Sequence, residues 1–492
     1  MDFSTLAKLS RFKDIVTTLL KYGLDETVQR LNFPGAKLIK RVYTVDREMG
    51  IYERIRCVLE DLGPTFVKFG QIMSLRPDLL PSDLLFELSK LQDEVPPVEI
   101  SKIRQVVEKG LGQSIETVFS VFDNEPIAAA SISQVHRAVL KTEGLIVVAK
   151  VQRPGIRKKI QADLDILENV AHRLHENSDD LRPYDLPNLV SVVRRNLIRE
   201  IDFGIEAQNL RIARTFASET DVHIPEVYNE YCSEQMLVME YAQGEKIRDI
   251  DIGGEDAQGL AKQGLNAVIK QILEDGFFNA DPHPGNLLVT ADMQLCILDW
   301  GMVGHLTERD RYELIDLLKS VVDKNSDALV HVLLRLSKFA GGEIDNRALE
   351  RELLYILNTY YAVPLQDVNI GKLLLAIMTA LRYYHLQLPP DLVMMVKALV
   401  TAEGTARQVY PEIDVVSEAK NYISRLAEQR FNPENLWRSF QTNFSNIWTA
   451  QRDIPWQLLN IFSKLERGDL GLHFHLDKLE RLVNTMENSS NR

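Results

Sequence analysis

The 492-residue chain has only three cysteines, Cys57, Cys232 and Cys296. They are scattered and odd in number, which excludes a disulfide framework and a zinc spacing and points to a reducing compartment. No stretch reaches the ~18 apolar residues that a bilayer span needs. The longest candidate, Leu373 to Leu381, is interrupted by Thr379 and closed by Arg382. The N-terminus lacks the apolar centre of a secretory signal, because Asp2, Lys8, Arg11, Lys13 and Asp14 break it up. Positive charge is short as well, with 57 Lys+Arg against 70 Asp+Glu and a net charge of −13. That balance argues against a general nucleic-acid binder and leaves room only for a local basic patch. Repeats and low-complexity tracts are missing. What remains, 45% apolar and 26% charged residues, is the composition of a soluble globular protein rather than a disordered chain. At roughly 150 residues per domain, the length allows about three folding units.

Texture divides the chain. The run Phe3-Leu6-Leu9-Phe12-Ile15-Leu19 puts an apolar residue at every third or fourth position, which predicts an amphipathic helix. Packing on the body of the protein is the simpler use of such a face, and a membrane surface the less favoured one. Residues 1 to about 100 read as helical, broken at Gly63-Pro64 and at Pro77, Pro81 and Pro96-Pro97. From Thr117 short β-rich runs follow: Val118 to Phe122, Leu145 to Val151, Pro225 to Tyr228, Gln235 to Glu240, Asn286 to Val289 and Gln294 to Leu298. Residues 156 to 220 and everything after Thr307 read as helix. The pattern predicts an α+β, two-lobed fold with a cleft between a small β-rich lobe and a larger helical one. The expected segments are 1–110, a helical N-terminal extension; 111–238, a first lobe with inserted helices; 239–345, the core of the second lobe; and 346–492, its enlarged helical part.

The sharpest chemical signal is Asn279-Ala280-Asp281-Pro282-His283-Pro284-Gly285-Asn286, followed by Leu298-Asp299-Trp300-Gly301. A carboxylate, an amide five residues on and a second carboxylate past a hairpin can converge on one metal–phosphate site. Asn286 and Asp299 offer the hard oxygens that suit Mg²⁺ on nucleotide phosphates, and Asp281 can orient an attacking oxygen. The rival reading, a polar turn favoured by Pro and Gly, is weak for two motifs at this spacing. Lys150 ends the run Val147-Val148-Ala149-Lys150, and a lysine on a buried strand calls for a phosphate or carboxylate partner. Alone it would be an edge-strand lysine facing water. Glu200, Asp202 and Glu206 put three carboxylates in seven residues. Asp202 and Glu206 would share a helix face, and a solvated acidic face is an equal alternative for that segment by itself. His136 and His283 have no partner at metal-ligand spacing, so zinc is not expected. The apolar runs Leu373 to Leu381 and Leu392 to Val400 read as lobe core rather than as a lipid pocket.

Taken together, Val148-Ala149-Lys150, Glu200-x-Asp202, Asp281-x-x-x-x-Asn286 and Asp299-x-Gly301 resemble the UbiB family of atypical protein-kinase-like proteins. Two further stretches are similar to features peculiar to that family. One is Lys68-Phe69-Gly70-Gln71, matching a Lys-x-Gly-Gln signature, and the other is Ala128-Ala129-Ala130-Ser131, matching the alanine-rich loop that replaces a glycine-rich phosphate loop. The resemblance runs in order from about residue 30 to 425. It implies a kinase-like fold that binds ATP (or ADP) with Mg²⁺. Lys150 would contact the phosphates and pair with Glu200, Asn286 and Asp299 would hold the metal, and Asp281 would be the catalytic-loop carboxylate. Ala128, Ala129, Ala130 and Ser131 would cover the nucleotide, and Glu240-Tyr241-Ala242 would be the hinge gripping adenine, with Glu240 and Ala242 as its contacts.

The resemblance further implies that the extension folds over the cleft and obstructs a protein substrate, with Lys68, Gln71 and Asp202 in regulatory roles. Alanine resists the backbone angles with which glycine wraps phosphates, and in the family this goes with altered nucleotide preference and weak or absent protein phosphorylation. The implied setting is isoprenoid-quinone biosynthesis or lipid homeostasis. The protein would be cytoplasmic and peripherally membrane-associated, meeting a lipid or quinone precursor, quinone-biosynthesis proteins or a second copy of itself, and no nucleic acid. Trp300 stands where the family has phenylalanine, and its N–H needs a partner if buried. Bacterial members continue past a Ser-Ser-Asn-Arg-like stretch into a membrane hairpin, so an end at Ser489-Ser490-Asn491-Arg492 implies a soluble truncation. Two rivals stand beside the ATPase reading: a small-molecule kinase, and a pseudokinase that holds nucleotide or lipid without turnover.

Overall fold

The computed structural model describes residues 3–24, 49–419 and 422, apart from 75, 78, 92–94, 178–181, 183–184, 218–221, 251–253, 340–344 and 361–368. Residues 423–492, and with them the end of the expected segment 346–492 and the Ser489–Arg492 terminus, lie outside the described residues.

Strands β1 (Phe119–Phe122), β2 (Ala128–Ala129), β3 (Ser133–Leu140) and β4 (Ile146–Gln152) open the first lobe. Helices Ile156–Asn177, Leu186–Glu200 and Phe203–Ala217 follow, then the short β5 (Val222–His223) and β6 (Met236–Glu240). The sheet is antiparallel in the order β1-β3-β4-β6, with β2 on β3. On one face helix Ile100–Leu111 packs, burying Ile103 and Val107 against Ala149, Val151, Met236 and Val238. Beside this sheet a second cluster joins Ile156, Ile160, Leu164, Leu197 and Ile201 of the inserted helices to Val67, Met73, Leu88 and Leu91 of the extension.

The second lobe begins with β7 (Gly244–Lys246) and helix Gly254–Lys270, which ends in a π-turn. It continues with β8 (Phe277–Asn279), β9 (Leu287–Thr290), β10 (Leu295–Ile297) and β11 (Val303–His305). A four-stranded sheet runs β5-β10-β9-β7, and β8 pairs with β11. Helices Glu308–Val322, Ser326–Leu336, Asn346–Tyr360, Ile370–Tyr383 and Pro390–Val409 complete the lobe. The expected lobe-core runs are buried, Leu373, Leu374 and Ile377 in one and Leu392, Val393 and Val396 in the other.

The fold is therefore the expected α+β arrangement, with local differences. The expected Pro225 to Tyr228 strand reduces to a single bridge at Val227, and the pairing segment is β5, just before Pro225, which has no N–H to give a ladder. Strands β2, β3, β7, β8 and β11 lie outside the expected runs, and the stretch after Thr307, expected to be all helix, includes a short antiparallel pair, Lys338–Phe339 with Leu386–Gln387.

The break at Gly63-Pro64 is real. Gly63 sits at φ +92, outside the range comfortable for other residues, and Pro64 takes the first position of helix Pro64–Met73. Of the N-terminal helix Phe3–Lys21, Ile15 and Val16 are buried, and Ile15 packs with Val58, Leu62, Phe66 and Ile166. So its described half packs on the body. Fully buried Asp163 is the polar counterpart of that packing. It receives Arg11 Nε at 2.6 Å and Nη2 at 3.1 Å, and the Thr65 hydroxyl at 2.6 Å. One carboxylate thus ties together the N-terminal helix, helix Pro64–Met73 and helix Ile156–Asn177. Among the described residues no helix is long and apolar enough to cross a membrane.

Removing one partner of such a buried pair strands the other charge. Asp163→Ala should lower the free energy of unfolding by about 3 kcal/mol, read from denaturant midpoints. A variant as stable as wild type would show that the extension is held by its apolar contacts alone.

Candidate active site

Lys150 lies on β4, opposite Val135 of β3 and Leu237 of β6, so its strand is flanked on both sides and the side chain must leave through a face. It points into the cleft. Its ammonium donates to Glu206 Oε1 at 2.7 Å and Asp299 Oδ2 at 3.2 Å, and stands 5.5 Å above the Phe203 ring. Burial pulls the Lys150 pKa down, but the charges of Asp299 and Glu206 outweigh it and hold the lysine charged above its ordinary range. Burial would raise Asp299, yet the charge of Lys150 and the Gly301 N–H on its Oδ1 at 2.8 Å keep it below the usual carboxylate range. Glu206, whose side chain is 3% exposed, is pushed up to about 7 by burial, against the pull of Lys150.

The expected Lys150–Glu200 pair is not formed. Glu200 ends one helix, the chain turns at Ile201 and Asp202, and Glu206 falls in the first turn of the next. A single helix across this acidic segment, as the spacing suggested, would have been required for Asp202 and Glu206 to share a face. Instead the Asp202 carboxylate accepts the Gly204 N–H at 3.1 Å, and its carbonyl accepts the Ile205 N–H at 3.0 Å, starting the Glu206 helix. Glu200 faces the extension, where Lys68 Nζ meets it at 2.6 Å. Lys68 and Glu200 lie close enough for their charges to act on Asp299 and Glu206 respectively. Gln71 does not reach the cleft; its amide donates to the Leu91 carbonyl at 3.1 Å.

Asp281 and Asp299 come from separate loops joined by a residue with no role expected from the motif. Asn279 is buried at the end of β8; its Oδ1 accepts the Asp281 N–H at 2.7 Å and its Nδ2 donates to the Asp299 carbonyl at 2.7 Å. Asn209 does similar work from the Glu206 helix, donating to the Trp300 carbonyl at 2.9 Å. Trp300 itself is buried and stacks on Phe277, its N–H without a partner among the described residues. Asn286 faces Leu298, the residue before Asp299, at the open end of the β9–β10 hairpin, where the Leu298 N–H donates to the Asn286 carbonyl at 3.0 Å. An ionised carboxylate, 39% exposed on the cleft, and an amide carried on the paired end of the same hairpin are donors of the kind that suits Mg²⁺, which takes one or two protein oxygens and fills the rest with phosphate and water. Among the described residues no cluster of three His, Cys, Asp or Glu side chains could hold a metal unaided.

The alanine-rich segment is an ordered hairpin tip. Ala128 and Ala129 pair with Val135 and Gln134, the Ala130 N–H donates to the Ser133 carbonyl, and Arg153 Nε donates to the Ala130 carbonyl at 2.7 Å. Ser131 is buried, not open to the cleft. Glu240 closes β6, and its carboxylate is engaged by His223 Nε2 at 3.2 Å and the Glu226 N–H at 3.1 Å. Tyr241 and Ala242 carry the chain from there to β7. A further cation was unforeseen: Lys397 Nζ of helix Pro390–Val409 lies 3.0 Å from Asp281 Oδ2.

A strand lysine held by a helix glutamate, facing a loop carboxylate across a cleft, defines the kinase-like class. The ABC1 atypical kinase-like domain matches residues 90–333 and the UbiB helical domain residues 353–414. A probable protein kinase UbiB of Cellvibrio japonicus is 36% identical over 444 residues, 88% of this chain and 80% of that one. The protein of the same description from Tolumonas auensis is 33% identical over 453 residues, 89% and 82% of the two chains. The solved complex of Rv3197 with erythromycin from Mycobacterium tuberculosis aligns with a TM-score of 0.50 at 24% identity, over 73% of this chain and 93% of that one; it supports the fold. The chain belongs to the UbiB family of atypical kinases.

The Glu206 environment has a pH signature. Its carboxyl holds a proton up to about 7 when folded, against 4.5 ordinarily, so the folded form binds more protons in between. The stability this group contributes is full below the lower value and lost as pH rises through the upper one. The melting temperature of wild type relative to Glu206→Gln should therefore fall as pH rises through that window. A pH-independent difference would show that Lys150 keeps Glu206 ionised throughout.

Proposed function

We propose that the chain is an ATP-dependent phosphotransferase or ATPase that binds Mg-ATP between its lobes. The observation behind this reading is the Lys150 ammonium bound by Glu206 and Asp299, with Asp281 tied to the Asp299 loop through Asn279. Lys150 would hold nucleotide phosphates, with Glu206 fixing its position. Asn286 and Asp299 would hold Mg²⁺, which supplies charge neutralisation on the phosphates. Asp281, 40% exposed, would orient the attacking oxygen and take its proton. Catalysis of this kind is mostly positioning and electrostatic stabilisation.

Hydrolysis is favoured over protein phosphorylation, because the extension reaches the Glu200 beside the site through Lys68. A role in isoprenoid-quinone biosynthesis at a membrane surface, with a lipid or quinone precursor as stimulus or substrate, is the part of the proposal that rests on family membership. A pseudokinase reading is disfavoured because the chain keeps a residue for each expected role, Lys150 for phosphate, Asn286 and Asp299 for metal and Asp281 for the attacking oxygen.

Mg-ATP should raise the melting temperature of wild type, and Asp299→Asn should largely abolish that shift. Phosphate release by the purified protein, with and without liposomes and quinone-precursor analogues, reads turnover; a wild type with neither shift nor release ends the proposal. Lys68→Ala, which frees Glu200, should change nucleotide affinity or permit autophosphorylation. If both stay as in wild type, Lys68 has no part in obstructing the site.

A further inference from the structure

The catalytic loop from Asp281 to Asn286 contains no lysine or arginine. Its histidine, His283, is occupied with its own turn, accepting the Gly285 N–H on Nδ1 at 3.1 Å. Yet a transferred phosphoryl group carries charge on its equatorial oxygens, and Asp281 adds another negative group at the place of attack. Lys150 serves the strand side of the cleft. On the loop side a cation arrives from elsewhere in the chain, through the 3.0 Å contact of Lys397 with Asp281. Lys397 sits on helix Pro390–Val409, inside the span that matches the UbiB helical domain. Its neighbours Val396 and Ala398 are buried and its own side chain is 18% exposed. Placing an ammonium there costs free energy that a carboxylate 40% open to water only partly returns. A second anion in the same spot would complete its coordination, since an ammonium has three donors.

We propose that Lys397 is a catalytic residue that contacts the γ-phosphoryl group of bound ATP while remaining on Asp281, so that the helical domain completes the active site. The proposal rests on the nucleotide reading above and deepens it. In the step it serves, the oxygen of water or of a hydroxyl forms a bond to the γ-phosphorus as the bond to the β–γ bridging oxygen breaks. The bonding pair leaves with ADP, and the proton of the attacking oxygen passes to the Asp281 carboxylate. Lys397 stays charged throughout and offsets the charge on the γ oxygens. ADP has no γ-phosphoryl group, so Lys397 also distinguishes substrate from product.

The test uses the full chain with Mg²⁺ and measures dissociation constants for ADP and for a non-hydrolysable ATP analogue, together with phosphate release from ATP. In Lys397→Met, which keeps the length of the side chain, affinity for the ATP analogue should fall about tenfold with that for ADP unchanged, and phosphate release should fall with it. Lys397→Arg should recover most of the preference for the triphosphate. Equal losses for both nucleotides, or no loss for either, in a variant that melts as wild type does would make the contact purely structural and overturn the proposal. That outcome leaves the nucleotide reading intact, whereas a wild type that binds neither nucleotide ends both.

Discussion

The site depends on one ammonium shared by two carboxylates. Lys150 belongs to a strand of the first lobe, Glu206 to a helix inserted after it, and Asp299 to a hairpin end of the second lobe. Lys150 and Glu206 are both largely buried and would be costly where they stand without a partner, since an unpaired buried charge loses several kcal/mol of hydration. Three segments distant in sequence are therefore fixed in one geometry. The division of labour is unequal. Glu206 is buried and serves the lysine, whereas Asp299 opens onto the cleft and stays ionised.

Neutral amides carry that geometry outward. Asn279 joins the backbone of Asp281 to that of Asp299, so the two carboxylates of the second lobe cannot drift apart without breaking a hydrogen bond of this buried amide. Asn209 lies three residues after Glu206 and therefore on the same helix face. It binds the Trp300 carbonyl, so one helix face holds both the lysine and the turn bearing Asp299. Trp300 is itself buried, with its ring parallel to Phe277 at 5.9 Å.

Much of this was readable in the sequence, and what was not has physical causes. The two lobes, the Lys150 strand and the Asp281-to-Asn286 and Asp299-to-Gly301 loops could be read because local rules set them, through β-rich runs and turn residues. Strand β3 escaped because Ser133, Gln134 and His136 are all buried in it, so its polar residues mask the alternation that marks a half-buried strand. His136 is satisfied there by the Asp123 carbonyl at 2.9 Å and by stacking on Phe122. The exchange of Glu200 for Glu206 turned on a helix break at Ile201 and Asp202 that carries neither Gly nor Pro. Asn279 was visible as a letter in the motif, but a carboxamide bridging two loops can be recognised only after both loops are placed. Lys397 had no local signal, because its partner lies far away in the chain.

The extension is bound to the site at two levels, which constrains how the protein can move. Lys68 reaches Glu200, beside the charged centre. Further out, Arg153 donates both to the Ala130 carbonyl of the alanine-rich tip and to the Pro96 carbonyl at 2.9 Å. Next to it the Gln134 amide oxygen accepts the Val98 N–H. One guanidinium thus fastens the tip of the hairpin to the segment that leads out of the extension. A tip built from glycine could flex over phosphates on its own, but one built from alanine and tied through Arg153 resists doing so. Opening the loop then requires Arg153 to release the extension or to carry it along. In this fold the alanine-rich tip and the extension are mechanically coupled through Arg153.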